Sequence, residues 1–375
     1  MKLGVFTNDP LEAYHRKGVL KPRYYNPDNF FDEVHIISPS DNDISEELVQ
    51  ETVGKAKLKI HSVGKATIIN RFMKKKHILN LIKTIQPDVI RSYNPLVEGW
   101  FAAYCGKKLG IPFFLSLHIQ YDGLRNLIKS KNYKKYLALK YSRKFIEPYV
   151  LSNADKITAV YRIIEPYVLD LCDRKPEILY NRVDLSQFRH GKKIKRFDRP
   201  LIISVGRLTP QKNHQCIIKA IKDLDVHLQI IGDGEQRQYL KDLVKELQIE
   251  DKVTFILTIP NSEIQDYYKS SDLFALAYDP EIEGLPIPVL EAMASGLPIV
   301  ISKPLSGLSD GLEGVVSFSD IEPSSFALEI KKILEDKGYA KKLSDNALIK
   351  SKEFDGKIME EREATIYKEL LQTRK

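Results

Sequence analysis

The chain has 375 residues, 43% hydrophobic and 29% charged, an ordinary balance for a soluble protein and enough for two domains that each bury a core. No run approaches the roughly 18 apolar residues of a membrane span, and residues 1–9 have too short an apolar core for a signal peptide. The net charge of +8 is uneven: residues 1–199 hold 36 Lys and Arg against 21 Asp and Glu, and residues 200–375 hold 22 against 29, so the halves are expected to face different partners.

Residues 3–6 and 34–37 read as buried strands. Between them Pro10, Gly18, Pro22 and Pro27 punctuate a segment too irregular for one helix, and such segments are usually functional or mobile. Further strands are expected at 58–60, 89–90, 111–117 and 157–160, with helices at 68–85, 96–109, 133–151 and 164–171. Pro87 and Gly110 supply stops for the first two helices. The polar, basic run 180–200 breaks the rhythm, and 183–199 reads as a linker. A second alternation follows, with strands at 201–205, 227–231, 253–256, 273–277, 297–301 and 315–318. Its helices fall at 211–221, 235–247, 262–269 and 289–294, and three more close the chain near 324–334, 341–350 and 357–371. This alternation predicts an α/β chain of two Rossmann-like doubly wound domains, 1–182 and 200–352, facing each other across a cleft. Ligands of such sheets bind beyond the carboxyl ends of the strands.

The densest chemistry lies between Glu281 and Ile301, a loop, a helix and a strand in quick succession. Pro286 and Pro288 suit a helix entrance, where a missing N–H costs little. Free amides at that entrance form an anion site. Glu283 in the loop and Glu291 in the helix do not bind an anion; they suit sugar hydroxyls on either side of a phosphate. As a pair they also fit a glycoside hydrolase, but the cations nearby favour a nucleotide diphosphate. Those cations are Arg207, a planar fork after Gly206 at the exit of strand 201–205, and Lys212, a point charge one short loop on. Gly232-Asp-Gly-Glu follows strand 227–231; its third glycine position holds Arg237, so it marks mainly a tight turn. No Walker-type phosphate loop is present, which argues against a P-loop kinase.

In the first half, His118 closes an apolar strand and is either a partner for a sugar hydroxyl or a hydrogen-bonded structural residue. Eight basic residues and no acid occupy 125–144, with Tyr133, Tyr136, Leu137, Tyr141 and Phe145 near helical spacing. Such a stretch either lies on an anionic membrane surface or is a solvated helix packed by its aromatic side. Cys105, Cys172 and Cys216 are odd in number and widely spaced, with no metal-ligand or disulfide pattern, so a reducing cytoplasm is expected.

Ser204-Val-Gly-Arg-Leu-Thr-Pro-Gln-Lys-Asn, Ile231-Gly-Asp-Gly-Glu and Glu283-Gly-Leu-Pro-Ile-Pro-Val-Leu-Glu-Ala-Met-Ala-Ser-Gly-Leu-Pro resemble the family 4 glycosyltransferases, retaining nucleotide-sugar enzymes of the GT-B fold. Asn181-Arg-Val-Asp-Leu-Ser-Gln-Phe is similar to the interdomain segment of that family. The resemblance implies that Arg207 and Lys212 hold the donor diphosphate, that Gly206 and Gly232 belong to the donor site, and that backbone groups of Gly284, Leu285 and Ile287 approach sugar and phosphate. It implies that Glu291 meets the ribose, that Glu283 and His118 serve the transferred sugar, and that helix 353–375 returns to the first domain. It also implies a UDP- or GDP-linked sugar as co-substrate, no metal or other cofactor, and a glycan or lipid-linked acceptor. That acceptor is expected in cell-surface polysaccharide or glycoconjugate synthesis, in the cytoplasm at or near the inner membrane face, with no role for nucleic acid. One departure concerns the loop after the first strand. Many relatives are glycine-rich there; here Gly18 stands alone, and Lys17 and Gly18 are candidates for part of that loop's work. A nucleotide-sugar epimerase or hydrolase, or a non-catalytic nucleotide-sugar binder, remains as an alternative.

Overall fold

The computed structural model describes all residues except 17, 19, 195, 196 and 373–375. Lys17, a candidate for the acceptor loop, lies outside the described residues. The chain divides into two compact units, Met1–Tyr180 with Met359–Lys375, and Asn181–Ile358.

The first unit holds a seven-stranded sheet of β1 (Lys2–Phe6), β2 (Glu33–Ser38), β3 (Lys57–Ser62), β4 (Val89–Ser92), β5 (Phe113–Leu117), β6 (Lys156–Ala159) and β7 (Glu177–Ile178). Its order is β3-β2-β1-β4-β5-β6-β7, with every pairing parallel. Strands with helices on both faces bury side chains in both directions, which is why β1 and β5 read as apolar runs rather than alternating ones. The segment between β1 and β2 is more ordered than its prolines imply. Asn26 is fully buried, its amide donating to the carbonyls of Phe31 and Val53 while its oxygen accepts from the Phe31 amide. The segment 133–151 is two helices, not one. Tyr133–Phe145 ends at Ile146, and Glu147–Ser152 starts with Pro148 in its first turn, where proline has no amide to continue the preceding helix. A helix absent from the sequence analysis, Tyr121–Lys131, precedes them.

The closing helix, Gly356–Gln372, is anchored from β4. Buried Arg91 pairs with Glu363 and donates to Tyr367 Oη at 2.6 Å and Ser116 Oγ at 3.0 Å. Arg23 adds a second tie, with Nε 2.9 Å from Glu360 Oε2.

The second unit holds β8 (Leu201–Val205), β9 (His227–Ile231), β10 (Val253–Ile256), β11 (Leu273–Leu276), β12 (Ile299–Ser302) and β13 (Ser317–Ser319), in the order β10-β9-β8-β11-β12-β13 and again all parallel. The stretch 183–199, expected as a linker, belongs to this unit. Asp184 caps a short helix, Leu185–Arg189, by accepting from the amides of Ser186 and Gln187, and Phe188 packs edge-on against buried Tyr268. Lys195 and Arg196 of that stretch lie outside the described residues.

Candidate functional site

The strand order of the second sheet reverses beside β8, which pairs with β9 on one side and β11 on the other. The loops leaving these strands therefore converge at their carboxyl ends, where doubly wound sheets bind ligands. The register Val205↔Ile231 sets Gly206 and Gly232 side by side. Gly206 donates to the Ile231 carbonyl, and Leu208 to that of Asp233, both at 3.0 Å. The approach is so close that a Cβ on Gly232 would lie 2.1 Å from the Gly206 carbonyl oxygen, and one on Gly234 2.4 Å from that of Leu208. The Gly-x-Gly after β9 is thus more than a turn: it lets one loop press on the loop that carries Arg207.

Lys212 does not open a helix, contrary to the pattern of residues 211–221. It ends a tight turn, Pro210–Lys212, and Asn213 follows in the left-handed region at φ 45° before the helix His214–Ala220 begins. That break turns the lysine inward. Its ammonium is buried and paired with Glu283, which arrives from the loop after β11. The loop is held from two sides: the Asp279 amide donates to the Gln211 carbonyl at 2.8 Å, and the buried Tyr278 hydroxyl donates to the Gly284 carbonyl at 2.6 Å. Arg207 stays exposed beside it.

The helix after this loop is Ile287–Ala294. Pro286 and Pro288 offer no amide, and the Val289 amide is taken by the Pro286 carbonyl at 2.9 Å. Ile287, as the first helical residue, presents an N–H that its own helix cannot satisfy. Leu285 buries its side chain almost completely, so its backbone is what it can offer a ligand. Glu291 stands one turn into the helix and accepts from Tyr268 Oη at 2.8 Å. Tyr268 is fully buried, so this bond fixes the carboxylate from below.

His214 lies beneath the loop, fully buried, with Nδ1 3.1 Å from Ser204 Oγ. Burial, reinforced by the Lys212 charge, pushes its pKa down to about 4, so the ring is neutral at pH 7. The unfolded ring takes up a proton near pH 6.5 and the folded one only near 4, so between these values the unfolded chain binds more protons. This linkage leaves stability intact above about 6.5 and lowers it by about 1.4 kcal/mol per pH unit down to about 4. Denaturation of wild type and His214→Gln at pH 7, 5.5 and 4.5 checks it: the variant should lose less stability on acidification, and equal slopes would contradict the assignment.

His118 belongs to the first unit, at the carboxyl end of β5. Its backbone oxygen accepts from Tyr161 Oη at 2.9 Å, its ring tilts against Tyr93, and Nε2 is buried without a hydrogen-bond partner. Burial, with the Arg91 charge behind it, lowers its pKa to about 4. The same end of the sheet holds a group that sequence reasoning missed. Glu98, next to Asn94, has its carboxyl pushed up to about 7 by burial, so it carries a proton for part of the time at neutral pH. Only an acid in the first turn after an apolar strand hinted at it. Among the described residues no three or more of His, Cys, Asp and Glu gather as metal ligands.

Residues 32–187 match the family described as Glycosyltransferase Family 4, and residues 186–349 match Glycosyl transferases group 1. The chain belongs to the family 4 glycosyltransferases. An uncharacterised glycosyltransferase of Methanocaldococcus jannaschii is 27% identical over 315 residues, 76% of each chain. The N-acetylgalactosamine-N,N'-diacetylbacillosaminyl-diphospho-undecaprenol 4-alpha-N-acetylgalactosaminyltransferase of Campylobacter jejuni is 34% identical over 204 residues, 52% of this chain and 53% of its own length. Among solved structures, Anabaena HepE in complex with UDP matches with a TM-score of 0.73 at 16% identity, covering 98% of this chain and all of the other. The two parallel sheets are those of the GT-B fold that the family motifs imply.

Proposed function

We propose that this glycosyltransferase moves a sugar from a UDP- or GDP-linked donor to a glycan or lipid-linked acceptor, with retention at the anomeric carbon and without a metal ion. The observation that carries the donor half is the buried Lys212–Glu283 pair beside the entrance of helix Ile287–Ala294. In the reaction the bond from the anomeric carbon to the phosphate oxygen breaks, its electron pair leaves with the nucleoside diphosphate, and an acceptor hydroxyl forms the new bond and gives up its proton to the departing phosphate. Negative charge grows on the leaving group, where Lys212, Arg207 and the Ile287 amide stabilise it. Glu291, fixed by Tyr268, takes the ribose hydroxyls. Glu283 takes a sugar hydroxyl; in the first unit His118, neutral at pH 7, keeps a buried ring nitrogen without a protein partner.

UDP in the HepE structure and diphospho-undecaprenol in the name of the Campylobacter enzyme support a nucleotide donor and a lipid-linked acceptor. The three cysteines are free, which fits a reducing cytoplasm and synthesis of a cell-surface polysaccharide or glycoconjugate there. The test is a panel of nucleotide sugars in the presence of EDTA. The matching donor should raise the melting temperature by a few degrees at about a hundred times its Kd, and acceptor should then release nucleoside diphosphate. No stabilisation by any UDP- or GDP-sugar would overturn the donor site. Donor breakdown with no acceptor present would favour a hydrolase.

A further inference from the structure

The first unit carries an apolar surface that packing leaves uncovered. The turn before helix Arg71–Ile85 puts Ile69 (85% exposed), and the first turn of that helix Phe72 (54%) and Met73 (81%), into solvent. Large apolar side chains exposed to this extent and side by side mark an interaction surface. The turn is pre-shaped: the Thr67 amide donates to Asn70 Oδ1 at 2.7 Å, and the Asn70 amide to Thr67 Oγ1 at 3.1 Å. On helix Tyr133–Phe145 the residues Tyr133, Leu137, Tyr141 and Phe145 recur every fourth position along one face and are 42–61% exposed. The aromatic side of this helix is therefore not its packed side. Arg71 joins the two groups. Its guanidinium lies 4.1 Å from the Phe72 ring centre and 5.8 Å from that of Tyr141, and it donates to Tyr141 Oη at 3.4 Å.

The two segments that carry the patch are basic, and the acids that reach helix Tyr133–Phe145, Asp122 and Asp170, are paired with Arg143. Residues 52–87 and 125–144 contain no Asp or Glu, and Lys65, Lys76, Lys134, Lys135, Lys140 and Lys144 are exposed. We propose that this face docks on an anionic phospholipid bilayer, with Ile69, Phe72, Met73 and the Tyr133–Phe145 stripe in the headgroup boundary and the lysines on lipid phosphates. Apolar side chains inside a basic collar are the composition of an interfacial helix surface. A second copy of the chain fits worse, because joining two such faces sets like charges opposite each other. A nucleic acid would find rings to stack on in Phe72 and Tyr133 but would leave Ile69 and Met73, the most exposed side chains of the patch, in water. No described helix is long and apolar enough to cross the membrane, so the contact is lateral.

The proposal stands apart from donor chemistry, and its failure leaves the donor site untouched. The full chain is mixed with sucrose-loaded vesicles of phosphatidylcholine alone, or with about a third phosphatidylglycerol, and sedimented. Binding is expected to the anionic vesicles only, falling as salt rises, and about tenfold weaker in Phe72→Ser/Met73→Ser, which keeps every charge. Both substituted positions are exposed, and an unchanged melting temperature confirms that the variant folds. Absence of binding at low salt, equal binding to neutral vesicles, or an unaffected double variant would overturn the proposal. So would dimerisation in sedimentation velocity, or nucleic-acid binding, in place of lipid binding.

Discussion

Lys212→Ala is expected to lower kcat/KM by about a thousandfold or more, the scale on which one preorganised group at a developing charge acts. It should also cost about 3 kcal/mol of stability, because Glu283 then keeps a buried charge with its partner gone. The two effects separate in a second variant. Lys212→Met/Glu283→Gln removes both charges, so most of the stability should return while transfer stays lost. Urea unfolding and donor-consumption kinetics on the pair read this directly. A double variant that regains activity along with stability would make the pair a structural element rather than part of the donor site.

Gly232→Ala should be nearly as damaging, through the backbone. Its φ of 145° is one that L side chains rarely adopt, and the added Cβ would stand 2.1 Å from the Gly206 carbonyl oxygen. Strain at such a position costs about 1–3 kcal/mol before any clash is counted, and the clash is with backbone that cannot rotate away. The expected result is a loss of about 3 kcal/mol or more, with weaker donor binding in whatever folds, since the displaced loop carries Arg207. Gly307→Ala is the control. It also has positive φ, at 75°, but nothing lies within 4 Å of its Cβ, so about 1 kcal/mol is expected. Equal losses in both melting curves would remove the close approach from the account.

Where the sequence carries short-range chemistry it predicts this structure well. The strands are apolar runs bounded by Gly and Pro, and residues 201–205, 227–231 and 253–256 are strands in the structure as well. The helix start after Pro286 was legible because proline and free amides share a local cause. Long-range contacts were not. Tyr268 beneath Glu291 is 23 residues away in sequence, and Arg91 meets Glu363 across 272, separations that no periodicity records. Nor did helical spacing reveal the left-handed Asn213, which turns Lys212 inward, or the break at Ile146, where the pattern continues although Pro148 has no N–H to carry the preceding helix on. His214 reads as an ordinary helix residue, and only its burial makes it a neutral ring.

The proposed donor site holds a nucleoside diphosphate at the carboxyl ends of the second sheet's central strands, with its ribose against Glu291. Calorimetric titration of wild type and Glu291→Ala tests it, using uridine and guanosine diphosphates and their 2′,3′-dideoxy counterparts. Wild type should bind the ribose form of the preferred base about tenfold more tightly than the dideoxy form, roughly the value of one charge-assisted hydrogen bond. Glu291→Ala should bind both forms alike, at the wild-type dideoxy level. Discrimination that survives in Glu291→Ala, or is absent from the wild type, would contradict the account.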